Sequence, residues 1–433
     1  MTGKTCNKRI GLVYPPSSID SVPSLMNAVI LLARNGYEID IFTTSDLHHT
    51  IPKFDDERIH LIFRRSDVRC SNLPIISNLA CYFSDKRKKT SISIFVKILH
   101  LINYWYFSLK NKFLPFIIFF SHYRKPYTGF IFVDPWGLIE AEHLLKFAHI
   151  PMIYYSLELI FSDEINDQHY KIIKNKEREL CKKIIFAIIQ DHERASLLSN
   201  ENNIPPEKIV LVPNAPLGPS RKIANRYWHQ RFNLSPETKI VLHTGSLGEW
   251  TGLDMIIDSV KYWPENWVFI IHTRYTVKNF PTDDSNKYFL KIIQENPLLK
   301  GRVFISQNPV HSDEYDQLID GADIGIALYF FDRRYELTGK NLETVGLSSG
   351  KIAYYLKAGL PVITNLQSGI GTLLFENKCG IIINSSQDIG QAIMDISNQY
   401  MEYSNNAQIL FDSRLNVEHA FHQVLVRLDA INR

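Results

Sequence analysis

A chain of 433 residues with 45% hydrophobic content is long enough for two or three domains with full cores. Its formal net charge of +3 is too small to suggest general nucleic-acid binding, and five scattered cysteines without a Cys-x-x-Cys pair read as reduced thiols of a cytoplasmic protein. The first ten residues lack an apolar signal-peptide core, and no run of about 18 apolar residues is present, so neither export nor a membrane span is expected.

Arg9 to Tyr14 reads as a strand, Pro15 to Pro23 as a loop, Ser24 to Asn35 as a helix closed by Gly36, and Glu38 to Thr43 as a second strand. This β-loop-α-β start is typical of a parallel sheet covered by helices. Further strands are expected at Arg58 to Phe63, Gly129 to Val133, Pro151 to Tyr155, Lys183 to Ile189 and Ile209 to Val212. One segment, 86–127, departs from the pattern. Lys86, Lys97, Lys110, Lys112, Arg124 and Lys125 alternate there with Phe95, Trp105, Phe113, Phe116 and Phe120. Basic residues mixed with aromatics suit an interfacial segment on an anionic membrane. The alternative is a set of core helices with lysines facing water.

Residues 214–236, with Pro216, Pro219 and Pro236, read as a linker after a first domain of 1–213. At Lys239 the pattern begins afresh and runs to about 405. Strands are expected at Lys239 to Thr244, Trp267 to His272, 302–305, 323–328 and Gly380 to Ile383, with helices at Gly252 to Trp263, 285–295 and 312–321. Two doubly wound α/β domains in tandem is the expectation, with ligands at the C-terminal ends of the strands. A last helix, about 411–432 within the terminal segment 406–433, is expected to pack back on the first domain.

The most informative stretch is Gly346-Leu347-Ser348-Ser349-Gly350-Lys351, which runs into a helix stopped by Gly359 and followed by a buried-type strand. Small residues at a helix start leave backbone N–H groups open to an anion, and the helix dipole favours negative charge there. Lys351 adds a full positive charge. A diphosphate needs this arrangement; the alternative is an ordinary helix cap with a surface lysine.

Three motifs carry a family likeness. Ile209-Val210-Leu211-Val212-Pro213-Asn214 looks like a step that ends a first domain, and Val241 to Leu247 like a first strand and glycine loop of a nucleotide domain. Lys351 to Ile363 looks like a "KlfeYlaaGkPVi" segment, and Glu177-Arg178 with Ile188 to Arg194 like the end of a donor-type first domain. On these motifs the chain resembles the GT-B glycosyltransferases, especially the large group similar to family 4. The resemblance implies two Rossmann-like domains facing a central cleft. It also implies a nucleotide-sugar donor on the second domain and a glycan hydroxyl as acceptor on the first, in cell-surface polysaccharide synthesis; a lipid link on that glycan is expected from the segment 86–127 alone. It places the donor diphosphate on Ser348, Ser349, Gly350 and Lys351, with Gly245 and Ser246 approaching from the other side, and the nucleotide against Val310 and Tyr354.

Two acids frequent in that family are replaced here, by Gly346 and Tyr354, and Thr251 stands where a lysine is common. Arg274, after the strand Trp267 to His272, is a candidate replacement for that charge or else a surface arginine. Asp134 and Glu158, each following a first-domain strand, are candidate catalytic carboxyls, because a carboxylate at a strand end can accept the proton of an attacking hydroxyl. For Asp134 the alternative is a cap of the following helix. No Asp-x-Asp or His-Glu-x-x-His is present, so no metal is expected, and no Gly-x-Gly-x-x-Gly follows the first strand, so no dinucleotide cofactor is expected either. The remaining alternatives are a nucleotide-sugar epimerase or sugar phosphorylase on the same fold, and a catalytically silent scaffold at the membrane.

Overall fold

The computed structural model describes residues 8–15, 19, 22–45, 54–66, 91–273, 284–306, 310 and 312–431, with side chains of the helix Ser91–Arg124 described from Trp105 onward. Two parallel sheets organise them. The first holds β1 (Arg9–Tyr14), β2 (Glu38–Ser45), β3 (Ile59–Ser66), β4 (Gly129–Val133), β5 (Met152–Tyr155), β6 (Phe186–Ile189) and β7 (Ile209–Leu211), in the order β3-β2-β1-β4-β5-β6-β7. The second holds β8 (Lys239–Gly245), β9 (Trp267–Thr273), β10 (Val303–Ser306), β11 (Ile324–Ala327), β12 (Val362–Thr364) and β13 (Gly380–Ile382), in the order β10-β9-β8-β11-β12-β13. The expected fold class is the one observed.

The strands form where apolar residues run without alternation, since helices cover both faces of each sheet. Every residue of β4, β9 and β11 is buried. In both sheets the chain starts near the middle, builds toward one edge, and returns to build toward the other. The switch points lie between β1 and β4 and between β8 and β11, and open α/β sheets gather ligands outside the strand ends at such points. The helix Gly350–Lys357 is set against the second switch point by Tyr355. Its ring covers Gly325 on β11, and its hydroxyl accepts a hydrogen bond from the Thr244 N–H on β8 at 3.0 Å.

Three segments differ from the sequence reading. The helix expected over 411–432 is two, Tyr400–Arg414 and Val417–Ile431, because the Asn416 side chain accepts from the His419 N–H at 3.0 Å and caps a new helix. Val417, Phe421, Val424 and Leu428 of the second one lie in the core of the first domain, and the Tyr37 hydroxyl donates to Asp429. Within the stretch read as linker, Tyr227–Phe232 form a helix whose Trp228 is fully buried in the second domain and donates its indole N–H to the Leu318 carbonyl at 2.8 Å. The polar surroundings masked this single anchor. Finally, Ser91–Arg124 is one long helix that buries Phe107, Leu114 and Ile118 but leaves Trp105, Leu109, Phe113, Phe116, Phe120 and Tyr123 exposed. Among the described residues no helix is long and apolar enough to cross a membrane.

The seating of Tyr355 gives a direct test. A methyl group at position 325 overlaps the Tyr355 ring. Gly325→Ala is expected to cost about 1–3 kcal/mol of stability through overpacking, read from the midpoint of urea unfolding.

Candidate functional site

On the second domain, β8 ends at Gly245, whose φ of +110° is a backbone state that favours glycine; the space where its side chain would stand is open. The loop beyond it carries Trp250, which stacks on Tyr329 at the end of β11 with ring centroids 6.0 Å apart. The Lys351 ammonium is buried beside both rings, 5.1 Å from the Trp250 centroid and 5.2 Å from that of Tyr329. Attraction between a cation and two ring faces in a desolvated setting holds the charge at the helix start. The surface-lysine alternative is therefore not what the structure contains.

Ser349 caps the same helix, its hydroxyl accepting from the Ile352 N–H and joined to the Tyr329 hydroxyl. His243, fully buried on β8, has its Nε2 3.0 Å from the Ser246 carbonyl. Burial, and then the Lys351 charge, push its pKa down to about 3, so the imidazole is neutral and serves to hold the glycine loop. Gly245, Ser246, Ser348, Ser349, Gly350 and Lys351 thus meet at one strand-end corner. Tyr354 and Val310, both partly buried, pack against the same core, with Tyr354 edge-on to Tyr315 at 4.8 Å. Arg274 lies outside the described residues. Sequence reasoning missed Trp250 and Tyr329, which are remote from Lys351 in the chain and carry no motif.

On the first domain, Asp134 stands at the end of β4. It is 4% exposed and has a φ of +56°, unusual for a residue other than glycine. Such strain tends to persist where function requires it. It does not cap the following helix: its Oδ1 instead accepts from the Leu157 and Glu158 N–H groups, at 2.7 and 2.9 Å. Burial, helped by the nearby Glu158 carboxylate, raises its pKa to about 8, against the pull of those two hydrogen bonds. The Glu158 carboxylate is half-buried and accepts from Asn341 Nδ2 of the second domain at 2.5 Å. The Leu159 N–H donates to the Oδ1 of the same asparagine at 2.9 Å.

Arg194 completes the junction. It is 1% exposed; its guanidinium donates to the Leu157 carbonyl at 2.8 Å, and to the Thr344 and Asn341 carbonyls of the second domain at 3.0 and 3.3 Å. Among the described residues one group of three side chains, Glu38, Asp40 and His60, is spaced to hold a metal ion. It sits at the opposite ends of the strands, where Arg9 and Lys125 already supply positive charge.

Residues 344–424 match the family profile described as glucosyltransferase 3-like, C-terminal domain. No protein in the curated set matches the chain in sequence. Many solved structures match it in shape. Sucrose-phosphate synthase from Thermosynechococcus elongatus superposes with a TM-score of 0.65 at 13% identity, covering 98% of this chain and 99% of its own. HepE from Anabaena in complex with UDP and glucose gives 0.66 at 14%, with 98% and 99% covered. WaaG, a glycosyltransferase involved in lipopolysaccharide biosynthesis, gives 0.58 at 13%, again with 98% and 99% covered. The chain thus has the GT-B fold, and its residues 344–424 are similar to a glucosyltransferase 3-like C-terminal domain.

Proposed function

We propose that this protein is a glycosyltransferase that moves a sugar from a nucleotide-sugar donor to a hydroxyl of a glycan or lipid-linked glycan. The observation that carries the reading is the Lys351 ammonium, buried beside the stacked Trp250 and Tyr329 rings at a helix start, with the open Gly245 turn ending β8. A leaving diphosphate needs fixed positive charge and backbone N–H groups in a place poor in water. This corner supplies them from protein groups, and no metal enters the proposal. HepE, of the same fold, was solved with UDP and glucose, so UDP-sugars are the first donors to try.

The acceptor hydroxyl is assigned to the first-domain side, with Asp134 as proton acceptor and Glu158 as the group that tunes and orients it. A carboxyl whose pKa is raised to about 8 is, once ionised, a stronger base than an ordinary carboxylate. The helix Ser91–Arg124 supports a membrane-bound acceptor. Trp105, Leu109, Phe113, Phe116, Phe120 and Tyr123 recur every three or four residues along it, all exposed, with Lys112, Arg124 and Lys125 nearby. Such a face suits the headgroup region of an anionic bilayer.

The reading is tested by incubating the protein with a panel of nucleotide sugars and glycan acceptors, with and without chelator, and assaying transfer. Replacing Lys351 by Ala is expected to weaken donor use about tenfold or more, the value of a charge-assisted contact. Unchanged kinetics in a folded variant would remove the diphosphate assignment. Asp134→Asn is expected to keep nucleotide binding and lose transfer. It also has a signature in stability. The folded-state pKa of Asp134 is above its unfolded value, so between about pH 4 and 8 the unfolded chain gives up a proton that the folded chain keeps. Wild-type stability should therefore fall relative to the variant as pH rises through that window, by up to about 1.4 kcal/mol per pH unit. Parallel stability curves would refute the raised pKa. For the membrane face, co-sedimentation with phosphatidylglycerol vesicles but not phosphatidylcholine vesicles is expected, and Phe113→Ser with Phe120→Ser should abolish it.

A further inference from the structure

The loop that leads into the diphosphate corner is held by the other domain. Asp191 begins the helix His192–Asn202 of the first domain, and its two carboxylate oxygens have different tasks. Oδ1 caps that helix by accepting from the Arg194 N–H at 2.9 Å, while Oδ2 accepts from the Leu347 N–H of the second domain at 2.8 Å. Asn214, on the crossing step after β7, donates its N–H to the Leu347 carbonyl and its side-chain amide to the Ser348 carbonyl, each at 2.9 Å. Arg194 takes the Thr344 carbonyl from the same side.

Gly346 shows that this contact is built in. Its φ is +47°, and a Cβ there would overlap the Asp191 carboxylate. The acid that the resembled family often carries at this position is thus not simply missing. Its space is filled from across the cleft by Asp191, and a side chain on 346 is barred as long as the domains hold this arrangement.

We propose that Asp191, with Arg194 and Asn214, forms a latch between the domains that fixes the Gly346–Ser349 loop, so that closing the cleft and forming the diphosphate corner are one event. The latch residues touch no substrate; they are positioning residues that act through the backbone of 346–348. The part concerning the diphosphate rests on the donor-site reading above, whereas the part concerning closure does not.

Asp191→Ser separates the two tasks of the carboxylate, because serine is as good a helix cap as aspartate but is too short to span to Leu347. Gly346→Ala attacks the same link from the other side. With the full chain, both variants are expected to keep the wild-type melting temperature within a few degrees and to bind UDP, GDP or ADP, whichever the wild type binds, about tenfold more weakly by calorimetry. The double variant should lose no more than the single ones, because both remove one shared contact. Wild-type affinity in either variant, or losses that add in the double variant, would overturn the coupling to the diphosphate corner. X-ray scattering without nucleotide provides the independent arm. Both variants should show a larger radius of gyration than the wild type, and an unchanged radius would overturn the latch itself. A wild type that binds no nucleotide at all would instead defeat the donor-site reading, leaving the scattering arm to decide the latch.

Discussion

A guanidinium cannot be buried unless its donors are met, and Arg194 has been buried where no single domain could meet them. Its partners are divided between the Gln190 side chain and Leu157 carbonyl of the first domain and the Asn341 and Thr344 carbonyls of the second. Pulling the domains apart would leave a charge in the wall of the first domain with part of its hydrogen bonding lost, and an unmet buried charge is among the costliest defects a protein can carry. Arg194 is thus one of the ties that set the relative placement of the two sheets. Glu158, Asn341 and Leu159 extend the same seam, so the candidate acid side of the cleft is tied directly to the segment that leads toward Lys351.

Burial sets the protonation state of groups in both domains. On the second domain, burial forces His243 neutral, and the Lys351 ammonium lies against the Trp250 and Tyr329 rings. On the first domain burial likewise favours the neutral form, and keeps a proton on Asp134 to higher pH than an exposed carboxyl would hold it.

Much of the fold was legible because its signals are local. Continuous apolar runs mark β4 and β9, Gly36 and Gly359 end helices, and the small residues before Lys351 mark a helix start. What escaped depends on contacts between distant residues. Trp228 lies in a polar, proline-rich stretch, and only its pocket in the second domain shows that the stretch includes a core helix. Asp191 reads locally as nothing more than a helix cap, and Gly346 as a lost acid; their meaning appears only when the two are brought together. Trp250 and Tyr329 are unremarkable in sequence, yet they decide the environment of Lys351. Asp134 is intermediate: its place at a strand end was readable, but its left-handed backbone and its bonds to the next strand's loop were not.

The helix Val417–Ile431 has a bearing on how the protein is made. Its Val417, Phe421, Val424 and Leu428 belong to the core of a domain whose sheet is otherwise encoded before residue 213. Domains emerging from a ribosome generally fold in order of synthesis. Here the first sheet lacks part of its covering until Val417–Ile431 has been translated, after the whole of the second sheet. The nascent first sheet therefore spends the synthesis of some 200 residues with an apolar groove open to water, an interval set by translation speed. Order of completion is inverted relative to order of appearance: the second sheet, with its strands complete by Ile382, can be covered before the helix Val417–Ile431 seals the first.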